Sequence, residues 1–156
     1  MIAEYVGRAL PPTRPYLVGR EKVREFALAV GEGASVCTDL DAALDAGYPD
    51  LVAPPTFAVT FTIPLMEAFL RDPAVGWDYA HMVHGEQSFV LHRPLYAGDE
   101  VVTTLHVDEL RTRAGNLFLT LRAEVADTGD APVLTAVSLM VTAVTQIARR
   151  PNAAMA

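Results

Sequence analysis

Apolar and polar residues alternate along the second half of the chain with the two-residue period of a β-strand. The alternation runs over residues 101–108, 117–125 and 133–143, and an earlier run covers about 83–93. Turn-forming sequences separate the runs: AlaGlyAsp before Glu100, ArgAlaGlyAsn at 113–116 and AspThrGlyAsp at 127–130. The pattern predicts an antiparallel meander of four strands. Strands of ten to thirteen residues reach roughly 40 Å at ~3.3 Å per residue, so the sheet must curl strongly.

The first half of the chain has helical periodicity instead. From Arg20, apolar residues recur at i, i+3, i+4 and i+7 with charges on the other face, which predicts a helix ended by Gly31. Asp39 is placed to cap a short helix over residues 40–46, and Gly47 follows it as a C-terminal glycine should.

Residues 51–73 are almost wholly apolar up to Glu67. Their length and lack of strict alternation predict a short strand leading into a buried helix at about 62–71, with Pro64 in its first turn. A strongly curled sheet needs an apolar element on its concave side, and this helix is the one the sequence offers. The predicted fold class is therefore α+β: a long curved antiparallel sheet wrapped around a central helix, which is the hot-dog fold.

The 156 residues are of a size typical of one domain, so we expect a single domain over 1–156. Pro11, Pro12 and Pro15 predict an extended lead-in over residues 1–15 that lies along the surface, because proline has no N–H and a fixed φ. We expect residues 146–156 to form a frayed tail.

Composition narrows the classes of partner. The net charge of −7 argues against nucleic acid, which binds clustered Lys and Arg. No stretch approaches the roughly 20 apolar residues of a membrane-spanning helix, and the single cysteine cannot form an internal disulfide, so we expect a cytoplasmic protein without a membrane partner. The four histidines are too scattered for a zinc site, and we expect no metal and no cofactor.

Two stretches, GYPDLVAPPTF at 47–57 and HGEQSFVLHRPLYAGDE at 84–100, resemble the MaoC-like dehydratases. The resemblance is to the N-terminal branch, the FAS1-type dehydratases, which includes the A and C subunits of mycobacterial (3R)-hydroxyacyl-ACP dehydratase. It implies hydration of a trans-2-enoyl thioester, or dehydration of a (3R)-3-hydroxyacyl thioester, carried on CoA or acyl carrier protein. It also implies a homodimer or a heterodimer with a catalytic MaoC-like subunit.

Catalytic relatives hold their water with a GlyAspXaaAsnProXaaHis motif, which corresponds to residues 31–37 of this chain. The resemblance places Glu32 at the position of the catalytic Asp and Cys37 at that of the catalytic His. A thiol is mostly protonated at neutral pH and is a poor substitute for an imidazole.

The donor to the thioester oxygen is a glycine amide in those relatives, and its position here matches Pro55, which has no N–H. By the same resemblance, Pro54, Pro55, Thr56 and Phe57 are candidate substrate-binding residues. His84 is the reserve catalytic candidate, and we expect it to share a strand face with His92, Glu86, Ser88 and Val90.

Three functional hypotheses remain open. The first is a subunit of an enoyl-thioester hydratase or dehydratase that supplies the acyl tunnel to a catalytic hot-dog partner. The second is a homodimeric acyl-binding protein without catalysis. The third is a hot-dog thioesterase that uses Glu67 of the central helix.

Overall fold

The computed structural model describes residues 1–144. These residues form one α+β arrangement of three α-helices, six β-strands and three turns of 3₁₀ helix. In chain order the helices are α1 (Arg20–Ala29), α2 (Leu40–Asp45) and α3 (Val59–Arg71), and the strands are β1 (Arg8–Ala9), β2 (Tyr16–Leu17), β3 (Val83–Leu91), β4 (Glu100–Arg113), β5 (Asn116–Asp127) and β6 (Pro132–Ala143). Turns of 3₁₀ helix cover Ile2–Tyr5, Ser35–Cys37 and Tyr79–His81.

The strands form one antiparallel sheet in the order β1-β4-β5-β6-β3, with β2 pairing beside β1 on the edge of β4. Strands β4, β5 and β6 form a meander as predicted, but β3 pairs with β6 and not with β4, so the prediction of a four-strand meander is wrong for β3. The long strands β4, β5 and β6 bury alternate residues. Leu105, Leu119 and Leu121 lie on the buried face and belong to the same hydrophobic cluster as helix α3. The hot-dog fold predicted from the periodicity is confirmed.

Helix α3 is the central helix, and it buries Thr62, Met66, Phe69 and Leu70. It begins at Val59, three residues before the expected start, so Pro64 lies inside the helix rather than in its first turn. The strand expected before it is wrong: the segment forms only an isolated bridge between Val52 and Tyr96. Pro54 and Pro55 explain this, because neither has an N–H with which to extend a ladder.

From Gly7 the proline-rich lead-in is extended and lies along strand β4. Its first residues differ from the prediction, because Ile2–Tyr5 form a turn of 3₁₀ helix and Ile2 is buried in the core. The backbone N–H groups of Gly7, Leu10 and Thr13 donate to carbonyl oxygens of β4 at 2.8, 2.8 and 3.0 Å. The lead-in therefore covers one edge of the sheet, whereas β3 at the other edge pairs only with β6 among the described strands.

Helices α1 and α2 lie where the sequence predicts them. Asp39 caps α2 by accepting hydrogen bonds from the backbone N–H groups of Asp41 and Ala42. No helix in residues 1–144 combines the length and the apolarity needed to cross a bilayer. The predicted tail at 146–156 falls outside the described residues, and the single domain over 1–156 stays a prediction.

The burial of the sheet predicts that two leucines contribute very differently to the free energy of unfolding. Leu121 is fully buried on β5, whereas Leu17 on β2 is 60% exposed. We expect Leu121→Ala to lower the free energy of unfolding by about 2–5 kcal/mol, because it removes buried methyl groups and leaves a cavity. Leu17→Ala is the matched control and should change it by about 0.5 kcal/mol or less.

Urea unfolding at one protein concentration measures both variants. If Leu121→Ala and Leu17→Ala lowered the free energy of unfolding equally, the assignment of the buried sheet face would be contradicted.

Candidate functional site

The site begins at the C-terminal end of helix α1. Gly31 adopts a left-handed conformation with φ of 72°, and the N–H of Glu32 donates back to the carbonyl of Ala27 at 2.8 Å. This is the bond pattern with which a glycine ends a helix and turns the chain sharply. The Glu32 carboxylate then accepts a hydrogen bond from the N–H of Ala34 at 2.9 Å. The carboxylate is therefore bonded within its own loop.

Cys37 follows in the 3₁₀ turn Ser35–Cys37 and is 4% exposed. Burial, and after it the charge of Glu32, raises the pKa of the Cys37 thiol. The group therefore stays protonated at neutral pH. It cannot serve as the base that an imidazole provides in catalytic relatives.

Glu32 and Cys37 line the same cavity, which has a volume of about 420 Å³. The cavity lies between the loop at 32–37, the segment at 52–58, the segment at 91–95 that begins with the last residue of strand β3, and Leu134 of β6. The structure thus brings together in one cavity the loop at 31–37 and the segment at 54–57, which the sequence motifs indicated separately.

The four candidate substrate-binding residues are divided by the fold. Pro54 and Pro55 line the cavity. Phe57 is fully buried and packs its ring against Phe26 and Phe61, 5.5 and 6.4 Å away between centroids, so it belongs to the core. Thr56 is exposed and is not a wall residue.

Backbone contacts hold the two sides of the cavity together. The N–H of Val52 donates to the carbonyl of Val36 at 3.0 Å, and that of Ala53 donates to the carbonyl of Leu95 at 2.8 Å. Arg20 at the start of α1 binds both oxygens of Asp50 at 2.9 and 2.6 Å, and this contact lowers the pKa of Asp50. The segment before α3 is therefore tied to α1, to the loop at 32–37 and to the segment after β3.

His92 and Arg93 also line the cavity, although sequence reasoning missed this role for them. Arg93 is bound to Asp99 at 2.7 Å and lies 3.8 Å from Asp127, and Asp99 raises the pKa of its guanidinium. His92 has its Nε2 3.1 Å from the Thr135 hydroxyl. The available signal in the sequence was Pro94, which has no N–H with which to continue a strand and so marks residues 92–93 as the segment that follows β3.

The expectation that His84 shares a face with His92 and Glu86 is wrong. The ladder between β3 and β6 shifts register between His84 and Glu86, because Gly85 forms a bulge. Residues that pair across an antiparallel ladder lie on the same face of the sheet. His84 pairs with Met140 on the buried face, whereas the His92 side chain contacts Thr135, which pairs with Val90 on the other face. The two histidines therefore lie on opposite faces, and His84 is not among the cavity residues.

Glu67 lies apart from the cavity. Its carboxylate accepts a hydrogen bond from the Tyr79 hydroxyl, and the Arg71 guanidinium lies 3.8 Å from the centre of the Tyr79 ring. Within residues 1–144, no cluster of three or more His, Cys, Asp or Glu side chains is placed to hold a metal ion.

Residues 4–136 match the family model described as the FAS1-like dehydratase domain region. The chain belongs to this family. It is also 50% identical over 137 residues to a UPF0336 protein of Saccharopolyspora erythraea, covering 88% of each chain. The family agrees with the resemblance read from the sequence motifs.

Two solved structures are similar to this member of the family. One is a chain of the C-terminally truncated HadBC (3R-hydroxyacyl-ACP dehydratase) complex from Mycobacterium tuberculosis, with a TM-score of 0.81 and 27% identity over 91% of this chain and 100% of that one. The other is a MaoC-like dehydratase, with a TM-score of 0.83 and 33% identity over 94% of this chain and 44% of that one. Both similarities support the assignment of this chain to a hydratase or dehydratase family with the hot-dog fold.

The burial of Cys37 predicts slow thiol chemistry. Because Cys37 is the one cysteine of the chain, a thiol reagent reports on it alone. We expect alkylation of the native protein at pH 7.5 to be at least ~100-fold slower than alkylation in denaturant, since reaction needs an exposed thiolate. The measurement is the rate of mass increase with iodoacetamide, with a short cysteine peptide as the control. Native labelling as fast as that of the peptide would contradict the buried, protonated thiol.

Proposed function

We propose that this chain is a subunit of a (3R)-specific hydroxyacyl-thioester dehydratase or enoyl-thioester hydratase, paired with a second hot-dog chain that carries the catalytic Asp and His. One observation supports this most directly: the family's catalytic position is still a cavity, but its two polar residues do not form an acid–base pair. Glu32 is bonded within its own loop, and Cys37 is a buried thiol of raised pKa.

The reaction shows why that pair matters. Hydration adds a hydroxyl to C3 and a proton to C2 of the enoyl thioester, so one water must be held, deprotonated and delivered while a proton is returned. A carboxylate and an imidazole on opposite sides of the water do this in general acid–base catalysis. Cys37, a buried thiol of raised pKa, does not supply the imidazole half of that pair, so the proposal takes the pair from another chain.

The open edge of the sheet supports a protein partner. Strand β3 pairs only with β6 among the described strands, and its Val83 and Val90 are 62% and 57% exposed. An unpaired edge with exposed apolar side chains is a site for strand pairing with another chain. The similarity to a chain of a two-protein dehydratase complex is consistent with a heteromer.

In such a pair this chain contributes apolar surface. Helix α3 leaves Pro64 and Ala68 exposed on the face away from the sheet, beside the half-buried Ile63. We propose that this face and strand β3 contact the partner and form one side of its acyl tunnel. The substrate is a thioester of CoA or of an acyl carrier protein.

Nothing specific favours the thioesterase hypothesis. Glu67 lies outside the cavity, and its carboxylate is bonded to Tyr79. A hydrolytic carboxylate needs to reach a water beside the thioester carbon.

The test is reconstitution with a chain from the same genome that contains an intact AspXaaAsnProXaaHis motif. We expect each chain alone to leave a trans-2-enoyl-CoA unchanged and the mixture to hydrate it. The measurement is the decrease in the ultraviolet absorbance of the enoyl thioester. Replacing the partner's Asp by Asn should lower the rate of the mixture by roughly 10²–10⁴-fold, as for loss of a general base. Glu32→Gln in this chain is the matched change and should alter the rate by less than about twofold.

Hydration by this chain alone at the full rate of the mixture would overturn the proposal. A large loss with Glu32→Gln in the mixture would also overturn it, because it would give Glu32 the catalytic role.

A further inference from the structure

Strand β3 presents the polar side chain of His84 on the face of the sheet that packs against helix α3. His84 pairs with Met140, which is buried on that face, but the His84 side chain itself is exposed at the open edge. The side chains of the other three histidines have polar partners at 2.9, 3.1 and 3.0 Å, which are Asp78, Thr135 and Glu124, whereas the His84 imidazole has none among residues 1–144.

The bulge at Gly85 fixes the direction of this side chain, as bulges do when they re-aim a residue. A Cβ atom at position 85 would lie 3.3 Å from the Cγ2 atom of Val141, which is closer than most Cβ contacts, so the bulge is fitted to a glycine. Gln87 is the next residue on the same face. Its side-chain oxygen accepts from the Ser138 hydroxyl at 2.6 Å, and its nitrogen donates to a main-chain carbonyl at 3.2 Å. Gln87 is thus fully bonded, and His84 is free to bind.

His84 lies too far from the cavity of its own chain to act there. The cavity begins at Leu91, the last residue of β3. His84 and Leu91 are seven residues apart on one strand, which is roughly 23 Å at ~3.3 Å per residue. No side chain spans that distance, so any ligand of His84 must come from outside this chain's cavity.

The proposed pairing of two hot-dog chains brings a different cavity to His84. If the β3 edges of the two chains join around a two-fold axis perpendicular to the sheet, both central helices stay on one side and the two strands run antiparallel. The start of β3 in one chain then lies beside the end of β3 in the other, about 4.8 Å away between strands. In a partner of the same fold, the end of β3 borders the catalytic cavity, as it borders the cavity of this chain.

We infer that His84 of this chain borders the partner's catalytic cavity and hydrogen-bonds to the substrate bound there. The inference rests on the proposed function and deepens it, because it names a residue that this chain supplies to the shared site. Both the partner's cavity and the His84 side chain lie on the concave face of the joined sheet, since Leu134 of the cavity wall and Met140 beside His84 are buried on the same face of β6.

The chemistry of the imidazole indicates which part of the substrate it binds. A neutral imidazole has one N–H donor and one acceptor nitrogen. The acyl chain offers a partner for neither, whereas the amide groups of the pantetheine arm, which CoA and carrier-protein thioesters share, offer both a carbonyl and an N–H. Because the partner's Asp and His carry out the proton transfers, His84 holds the pantetheine arm and takes no part in the chemical step.

The test measures kcat and KM for hydration of a trans-2-enoyl-CoA by this chain mixed with its partner. We expect His84→Ala to raise KM by ~10-fold and to leave kcat within about twofold, because the lost hydrogen bond stabilises the bound substrate and the transition state equally. His84→Gln retains a donor and an acceptor and should restore most of the affinity. His81→Ala removes an exposed histidine outside β3 and is the matched control, which should change neither constant.

A second variant keeps the test independent of any single substitution. His84→Phe retains a ring of similar size without a polar atom, so it should raise KM as His84→Ala does. Size-exclusion chromatography and thermal unfolding check that each mixture is assembled and folded. An unchanged KM for an assembled His84→Ala or His84→Phe mixture overturns the inference. A large fall in kcat at unchanged KM also overturns it, because that result would place His84 at the reacting atoms.

The outcomes separate this inference from the proposed function. An active wild-type mixture whose KM does not respond to the His84 variants removes the inference and leaves the proposed function. A wild-type mixture that does not hydrate the enoyl thioester removes the proposed function and, with it, the inference.

Discussion

The structure depends on one constraint, the need of a long curved sheet for an apolar element on its concave side. Strands β4 to β6 are twelve to fourteen residues long and bury alternate residues along 101–107, 119–125 and 134–142. An apolar surface of that length is stable only when another element covers it. Helix α3 does this with Met66, Phe69 and Leu70. Because the helix must lie there, its N-terminus and the segment before it are brought to the end of the sheet where β3 finishes and β6 begins.

The position of the cavity follows from that placement. The segment at 52–58 leads into the helix, and it is held against the loop at 32–37 and the segment after β3 by two backbone hydrogen bonds. The position of the loop therefore rests on main-chain contacts and on the glycine turn at Gly31, and not on the side chains of Glu32 and Cys37. The main chain of the fold therefore forms the cavity whichever side chains stand at positions 32 and 37.

Sequence reasoning located the elements well and the side chains less well. The period-two runs located all four long strands, because alternation directly reflects burial on one face. The alternation could not locate the bulge at Gly85, since a glycine in a strand fits both a regular and a bulged ladder. The resulting one-residue shift places His84 on the face opposite His92. Likewise, Thr56 and Phe57 stand beside Pro55 in the sequence, but the turn into α3 directs Phe57 to the core and leaves Thr56 exposed.

By itself, the sequence determined the fold class and the family, because both depend on which residue types occur and at what spacing. The tertiary structure decided what surrounds the site residues: that Glu32 is bonded to the N–H of Ala34, that Arg93 is paired with Asp99, and that the N–H of Val52 donates to Val36. Such contacts join parts of the chain that are distant in sequence, or depend on where a turn directs a single N–H. Neither the periodicity nor the composition of the sequence predicts such contacts.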